Sequence, residues 1–133
     1  AKTVGVVDER GEIAATYKGI PQKDIGIMTD VMSNFPKSLG MKMLIRSMSP
    51  QIIACDEIGG KEDVDTIKSA IYSGVKGIFT AHGASLRDLY LNEHLKQLLD
   101  SYIFEKIIFL KPKGKRGEIE EIFTLEKETF EYI

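Results

Sequence analysis

Apolar residues in this chain fall into two alternating patterns, short runs and helical spacing. "TVGVVD" (3–8) is a β-branched run ending in an acid, as expected for a buried strand of a parallel sheet whose carboxyl end faces a site. Residues 18–36 carry breaks at Gly19-Ile20-Pro21, Gly26 and Pro36, which predicts a long irregular connection, a kind of loop that is usually functional or mobile. In "SLGMKMLIRSM" the residues Met41, Leu44, Ile45 and Met48 fall at i, i+3, i+4, i+7, giving a helix that Ser49-Pro50 ends. A strand follows at 51–56.

From Lys61 to Ser73 the positions Val64, Ile67, Ala70 and Ile71 again have helical spacing, with Gly74 as a stop. "VKGIFTA" (75–81) is the next strand. Ser85 followed by Asp88 resembles a capping box, and Leu91, Leu95, Leu98 and Leu99 continue one helix to about residue 100. "KIIFL" (106–110) and "EIEEIFTL" (118–125) read as an antiparallel pair, and "ETFEYI" as a further short edge. The expected fold class is α/β, a mostly parallel sheet finished by a carboxyl-terminal antiparallel hairpin. Strands 3–8, 51–56 and 75–81 then end in polar or acidic residues on one edge, where open parallel sheets form ligand sites.

Composition narrows the function classes. A length of 133 residues, 43% hydrophobic and 29% charged, suits one soluble domain. The net charge of -2 gives no global reason to expect nucleic acid or an anionic membrane. "KPKGKR" (111–116) is a local basic cluster placed at a hairpin tip. The single cysteine, Cys55, cannot form an intrachain disulfide, and no histidine or cysteine cluster has metal-ligand spacing, so a cytoplasmic location is expected. No apolar run approaches the ~18 residues of a spanning helix, so a membrane role would require a partner.

The chemistry centres on "IIACDEIGG" (52–60), an apolar strand running into Asp56 and Glu57. Such a strand fixes an aspartate so that it can hold Mg²⁺ through a water, while the next residue can orient a water for attack on a γ-phosphate. The alternative is a solvated strand-end turn with Gly59-Gly60 and no chemistry.

"VGVVDERGEIAATYKGIPQKDIGIMTDV", "KSLGMKMLIRSMSPQIIACDEIG" and "TAHGASLRDL" resemble, in this order, the stage III sporulation protein AA family, relatives of the hexameric secretion ATPases. The similarity runs from about Val4 to Leu110. It implies a truncated RecA-like P-loop ATPase core, with "IIACDEIG" as a Walker B segment, "TAHG" as a histidine box and "VDERGEIA" in the place of an acidic box. One departure bears on activity: nothing matches G-x-x-x-x-G-K-[ST]. Residues 1–133 are therefore expected to be the carboxyl-terminal part of the ATPase domain, starting just after the P-loop helix. With the P-loop strand missing from its place between 75–81 and 106–110, those two strands are expected to pair directly or between chains.

The resemblance assigns candidate roles residue by residue. Glu57 is the general base and Asp56 the Mg²⁺ partner. His82 senses the γ-phosphate, or is a capping or core histidine. Arg10, Arg46 and Arg87 are candidates for pairing with phosphate across a subunit boundary, or form salt bridges. Asp8, Glu9 and Glu12 line the cleft or cap the strand end. His94 is expected at the surface, and Cys55 buried without chemistry.

The implied function is ATP hydrolysis in the full-length form, powering assembly or transport through a secretion-like channel in spore formation. The full-length form would use Mg²⁺ and ATP, whereas these residues alone are expected to be inactive and to hold neither. The implied partners are further copies in a ring, a hexamer by resemblance, and other stage III sporulation membrane proteins. No direct membrane insertion is expected, only peripheral association through partners. Nucleic acid is not the expected ligand. The alternative is a non-catalytic docking module or a nucleic-acid-associated ATPase relative, with "KPKGKR" as the contact.

Overall fold

The computed structural model describes residues 1–125. They divide into two compact units, the first spanning Ala1–His82 and the second beginning at Gly83. The predicted edge "ETFEYI" lies outside the described residues.

The first unit is a four-stranded parallel sheet covered by two helices. Its strands are β1 (Val4–Asp8), β2 (Thr29–Ser33), β3 (Ile52–Cys55) and β4 (Lys76–Phe79), in the order β2-β1-β3-β4. β1 is central: Val4 stands opposite Thr29 on one side and Ile52 on the other, and Ile52 in turn opposite Lys76. Helix α1 (Lys37–Met48) packs on β1 and β3, α2 (Lys61–Tyr72) on β4, and the helices pack on each other. Val7, Met41, Ile53, Val64 and Ile67 are wholly buried between these layers. Full burial of such a side chain stabilises by about 1.5–3 kcal/mol.

Gly40 permits the close seat of α1 on the sheet. A Cβ there would lie 2.7 Å from Cγ1 of Val7, inside van der Waals contact. α1 ends as predicted, with Ser49 in the left-handed region and its N–H returned to the carbonyl of Ile45.

The second unit holds α3 (Leu86–Leu91), α4 (Glu93–Asp100) and an antiparallel pair, β5 (Lys106–Leu110) with β6 (Ile119–Thr124). Phe109 and Phe123 meet edge-to-face, with ring centres 5.8 Å apart.

Three expectations need correction. Residues 18–36 are not irregular throughout, because Thr29–Ser33 forms β2 on the outer side of β1. An edge strand reading "TDVMS", only half buried, shows neither an apolar run nor clean alternation. The single helix over 85–100 is two helices: Asn92 turns extended (ψ 111°) and its Oδ1 accepts from the N–H groups of His94 and Leu95, so the side chain ends α3 and starts α4. Strand 106–110 does not pair with 75–81. β5 pairs with β6 in its own two-stranded sheet, a contact between near neighbours in sequence that closes a short loop.

Candidate functional site

All four strands of the parallel sheet point the same way, so Asp8, Ser33, Cys55 and Phe79 share one edge. The chain leaves that edge in polar loops, and most of the candidate residues lie there.

Glu57 follows β3 in an unusual backbone conformation, with φ +50°. A non-glycine residue is rarely found in this left-handed region. Its N–H donates to Thr80 Oγ1 at 3.0 Å, and the next N–H, of Ile58, donates to the Thr80 carbonyl at 2.8 Å. The Glu57 carboxylate forms an ion pair with the Arg10 guanidinium, which reaches it from the loop after β1. His82 Nε2 lies 3.7 Å from Glu57 Oε1, an ion-pair distance when the imidazole is protonated. His82 is 89% exposed and Glu57 32%. This group of Arg10, Glu57 and His82 brings together the ends of three adjacent strands.

Asp56 stands between the sheet and Glu57, half-buried. Its carboxylate has no hydrogen-bond or ion-pair partner among the described residues. Glu9 pairs with Lys37 from the first turn of α1. Burial works against the Lys37 charge, yet the Glu9 hydrogen bond and charge, with Asp63 and Cys55 behind them, outweigh it and raise its pKa above the ordinary lysine value. Cys55, buried under the same edge, has its thiol pushed up to about 12, first by desolvation and then by the Asp56 charge.

The other candidates lie differently. Asp8 is wholly buried and turned inward, its carboxylate accepting from the N–H groups of Ile13 and Ala14. That geometry caps the strand end instead of lining a cleft. Glu12 is exposed, and its carbonyl accepts from Lys23 Nζ. Arg46 is in the last turn of α1, at the opposite end of the helix from Lys37, where it lines a groove with Lys42, Glu62 and Asp65. Arg87 is exposed in the second unit. His94 is less open than expected, 30% exposed, with a buried Nδ1 that has no hydrogen-bond partner among the described residues.

Thr80 and Lys37 were not among the sequence candidates. The register could have flagged Thr80, since Cys55 stands opposite Phe79 and the next residues of β3 and β4 therefore meet beyond the sheet. For Lys37 the signal is a cation at a helix amino terminus with no acid in the first turn, the wrong sign for the helix dipole unless a partner answers it.

Among the described residues no group of three or more histidine, cysteine or acidic side chains could hold a metal ion by itself. Nor is any described helix long and apolar enough to cross a membrane.

Comparison with known proteins agrees with this geometry at the level of family and fold. The family model described as Sporulation stage III, protein AA matches residues 1–129. Stage III sporulation protein AA of Bacillus subtilis (strain 168) is 41% identical over 119 residues, which cover 90% of this chain and 39% of that protein. The chain thus spans well under half the length of this relative. The X-ray structure of the Legionella pneumophila ATPase DotB superposes with a TM-score of 0.53, over 83% of this chain and 41% of that one, at 13% identity. At that identity the likeness is one of fold, the RecA-like fold.

Proposed function

We propose, from the premise that the chain belongs to the stage III sporulation protein AA family, that it forms part of an ATPase in which Glu57 orients the attacking water. The observation that carries this reading is Glu57 itself. It sits in a left-handed turn at the end of an inner strand of a RecA-like sheet, its carboxylate gripped by Arg10 and faced by His82. Backbone strain held against its cost is a mark of functional positions.

Asp56 fits a magnesium ion held through water. It is a single carboxylate with no partner among the described residues, and a magnesium ion in phosphoryl transfer takes most of its other ligands from water and phosphate oxygens. Bound there, the ion would neutralise charge on the transferring phosphate. The chain's own residues would do the rest: Glu57 holds a water in line, His82 reports on the terminal phosphate, and Arg10 is within reach of both the carboxylate and an incoming anion. Residues 1–133 contain no phosphate-cradling loop, so the nucleotide would be gripped by parts of the full-length protein beyond these residues. In this reading, further copies assemble into a ring that powers assembly or transport, and other stage III sporulation membrane proteins hold it at the membrane.

Hydrolysis by the full-length protein tests the reading. Glu57→Gln keeps the shape and removes the base, so nucleotide binding should persist while turnover falls by roughly 100-fold or more. Undiminished turnover would remove Glu57 from the reaction, and absence of turnover in the full-length wild type would favour the non-catalytic docking module.

A further inference from the structure

Thr80 meets the end of β3 at three points. Its N–H donates to the Cys55 carbonyl at 3.3 Å, its carbonyl accepts from the Ile58 N–H at 2.8 Å, and its hydroxyl accepts from the Glu57 N–H at 3.0 Å. These bonds bracket Asp56 and Glu57 on both sides. Two of them use only backbone and would form with any residue at position 80. The third requires a side-chain oxygen, and it goes to the residue whose φ is +50°.

We propose that Thr80 is a positioning residue for Glu57, its hydroxyl holding the Glu57 peptide in the left-handed turn from which the carboxylate meets Arg10 and His82. The inference rests on the reading of Glu57 as the water-orienting carboxylate. A left-handed glutamate persists only where its surroundings over-determine it. Here the fixing contacts are the two backbone bonds on either side, the Thr80 hydroxyl on the Glu57 N–H and Arg10 at the carboxylate, and the hydroxyl is the one that holds the Glu57 peptide itself. With the hydroxyl gone, water can satisfy the N–H, but water does not fix its direction. The turn then relaxes toward ordinary φ, and the carboxylate leaves its place. A small displacement of a group that orients a reacting water is enough to slow the chemical step. Nucleotide affinity does not depend on that placement, so the loss should fall on kcat and not on KM. Serine carries the same oxygen at the same branch point and should serve as well.

The test uses the full-length protein with ATP, comparing wild type with Thr80→Val, Thr80→Ala and Thr80→Ser. Hydrogen–deuterium exchange over the peptide covering Asp56–Ile58 is measured in parallel, with the α2 peptide as a control for folding. Thr80→Val and Thr80→Ala should lower kcat by roughly 10-fold with KM little changed. They should also speed exchange at Glu57 by roughly 5- to 10-fold, as expected for a lost hydrogen bond. Thr80→Ser should restore both. If valine at this site prevents folding, alanine gives the same comparison without a branched side chain. Exchange that does not change, or kcat that survives while exchange speeds up, overturns the proposal. If wild type itself shows no turnover, the ATPase reading falls. Exchange then decides the clamp alone: faster in valine than in serine upholds it, and equal rates overturn it.

Discussion

The carboxylate of Asp8 is closed over by the loop that follows it, with Ala14 N–H donating to Oδ2 at 2.9 Å and Ile13 N–H shared between both oxygens. The Asp8 carbonyl also accepts from Gly11 and from Asn34 just beyond β2, so one residue ties together the first loop and two strand ends. It is this loop that carries Glu9 and Arg10 to the edge of the sheet.

Asp8→Ala should therefore act through stability. It strips one buried and one half-buried backbone N–H group, of Ala14 and Ile13, of their acceptor, at a cost of about 2–4 kcal/mol. Asp8→Asn keeps one acceptor oxygen and should cost less. Urea denaturation of both variants would decide, and a loss below ~1 kcal/mol for alanine would show that the loop holds without the carboxylate.

At position 57 the usual order of glycine and alanine should reverse. Glycine accepts φ +50° freely, whereas alanine pays the left-handed penalty that glutamate pays now. Both variants lose the Arg10 pair equally. Glu57→Gly should be the more stable of the two by about 1 kcal/mol, and thermal unfolding of the pair measures it. Equal midpoints, or the alanine variant unfolding later, would mean that the turn is not strained in solution.

Alkaline pH should weaken the fold through Cys55. The thiol is held up to about 12 in the folded chain against 9.0 for the free group. The folded state thus keeps a proton that the unfolded state has released, and stability is lost as pH rises from 9 toward 12, with a limiting slope of about 1.4 kcal/mol per pH unit. Lys37 adds a loss in the same direction, but only above its ordinary 10.5, as its Glu9-supported charge titrates. Cys55→Ala should flatten the curve between pH 9 and 10.5 and leave only the Lys37 part of the fall above it. Urea midpoints across that range are the measurement, and an unchanged slope in the alanine variant would exclude Cys55 as the cause.

The elements that the sequence displays clearly are those whose signal is local. Met41 and Leu44 on one face of α1, the apolar run of β3 and the Ser85 cap of α3 are each legible within a few residues. β2 is hidden because an edge strand needs only one paired side, and "TDVMS" carries no burial pattern of its own. The break at Asn92 is hidden by the leucines, whose spacing runs through it, although asparagine is a strong cap former. At the site, Asp56 and Glu57 are visible as acids at the end of an apolar run. The Thr80 hydroxyl and the inward turn of Asp8 are not, because each is fixed by a partner brought near only by sheet register or loop closure.

That sheet has a further consequence for how the chain becomes organised in time. Every neighbour in it is parallel, so no strand can find its partner by a simple reversal. β1 has no mate until β2 has been made and lacks its second until β3 appears. Such sequence-distant pairing slows folding. During synthesis the central strand waits with open sides while later segments emerge. The turn at Glu57 waits longest, since Thr80 lies beyond both α2 and β4. The part of the first unit with the most chemistry is thus among the last to take shape.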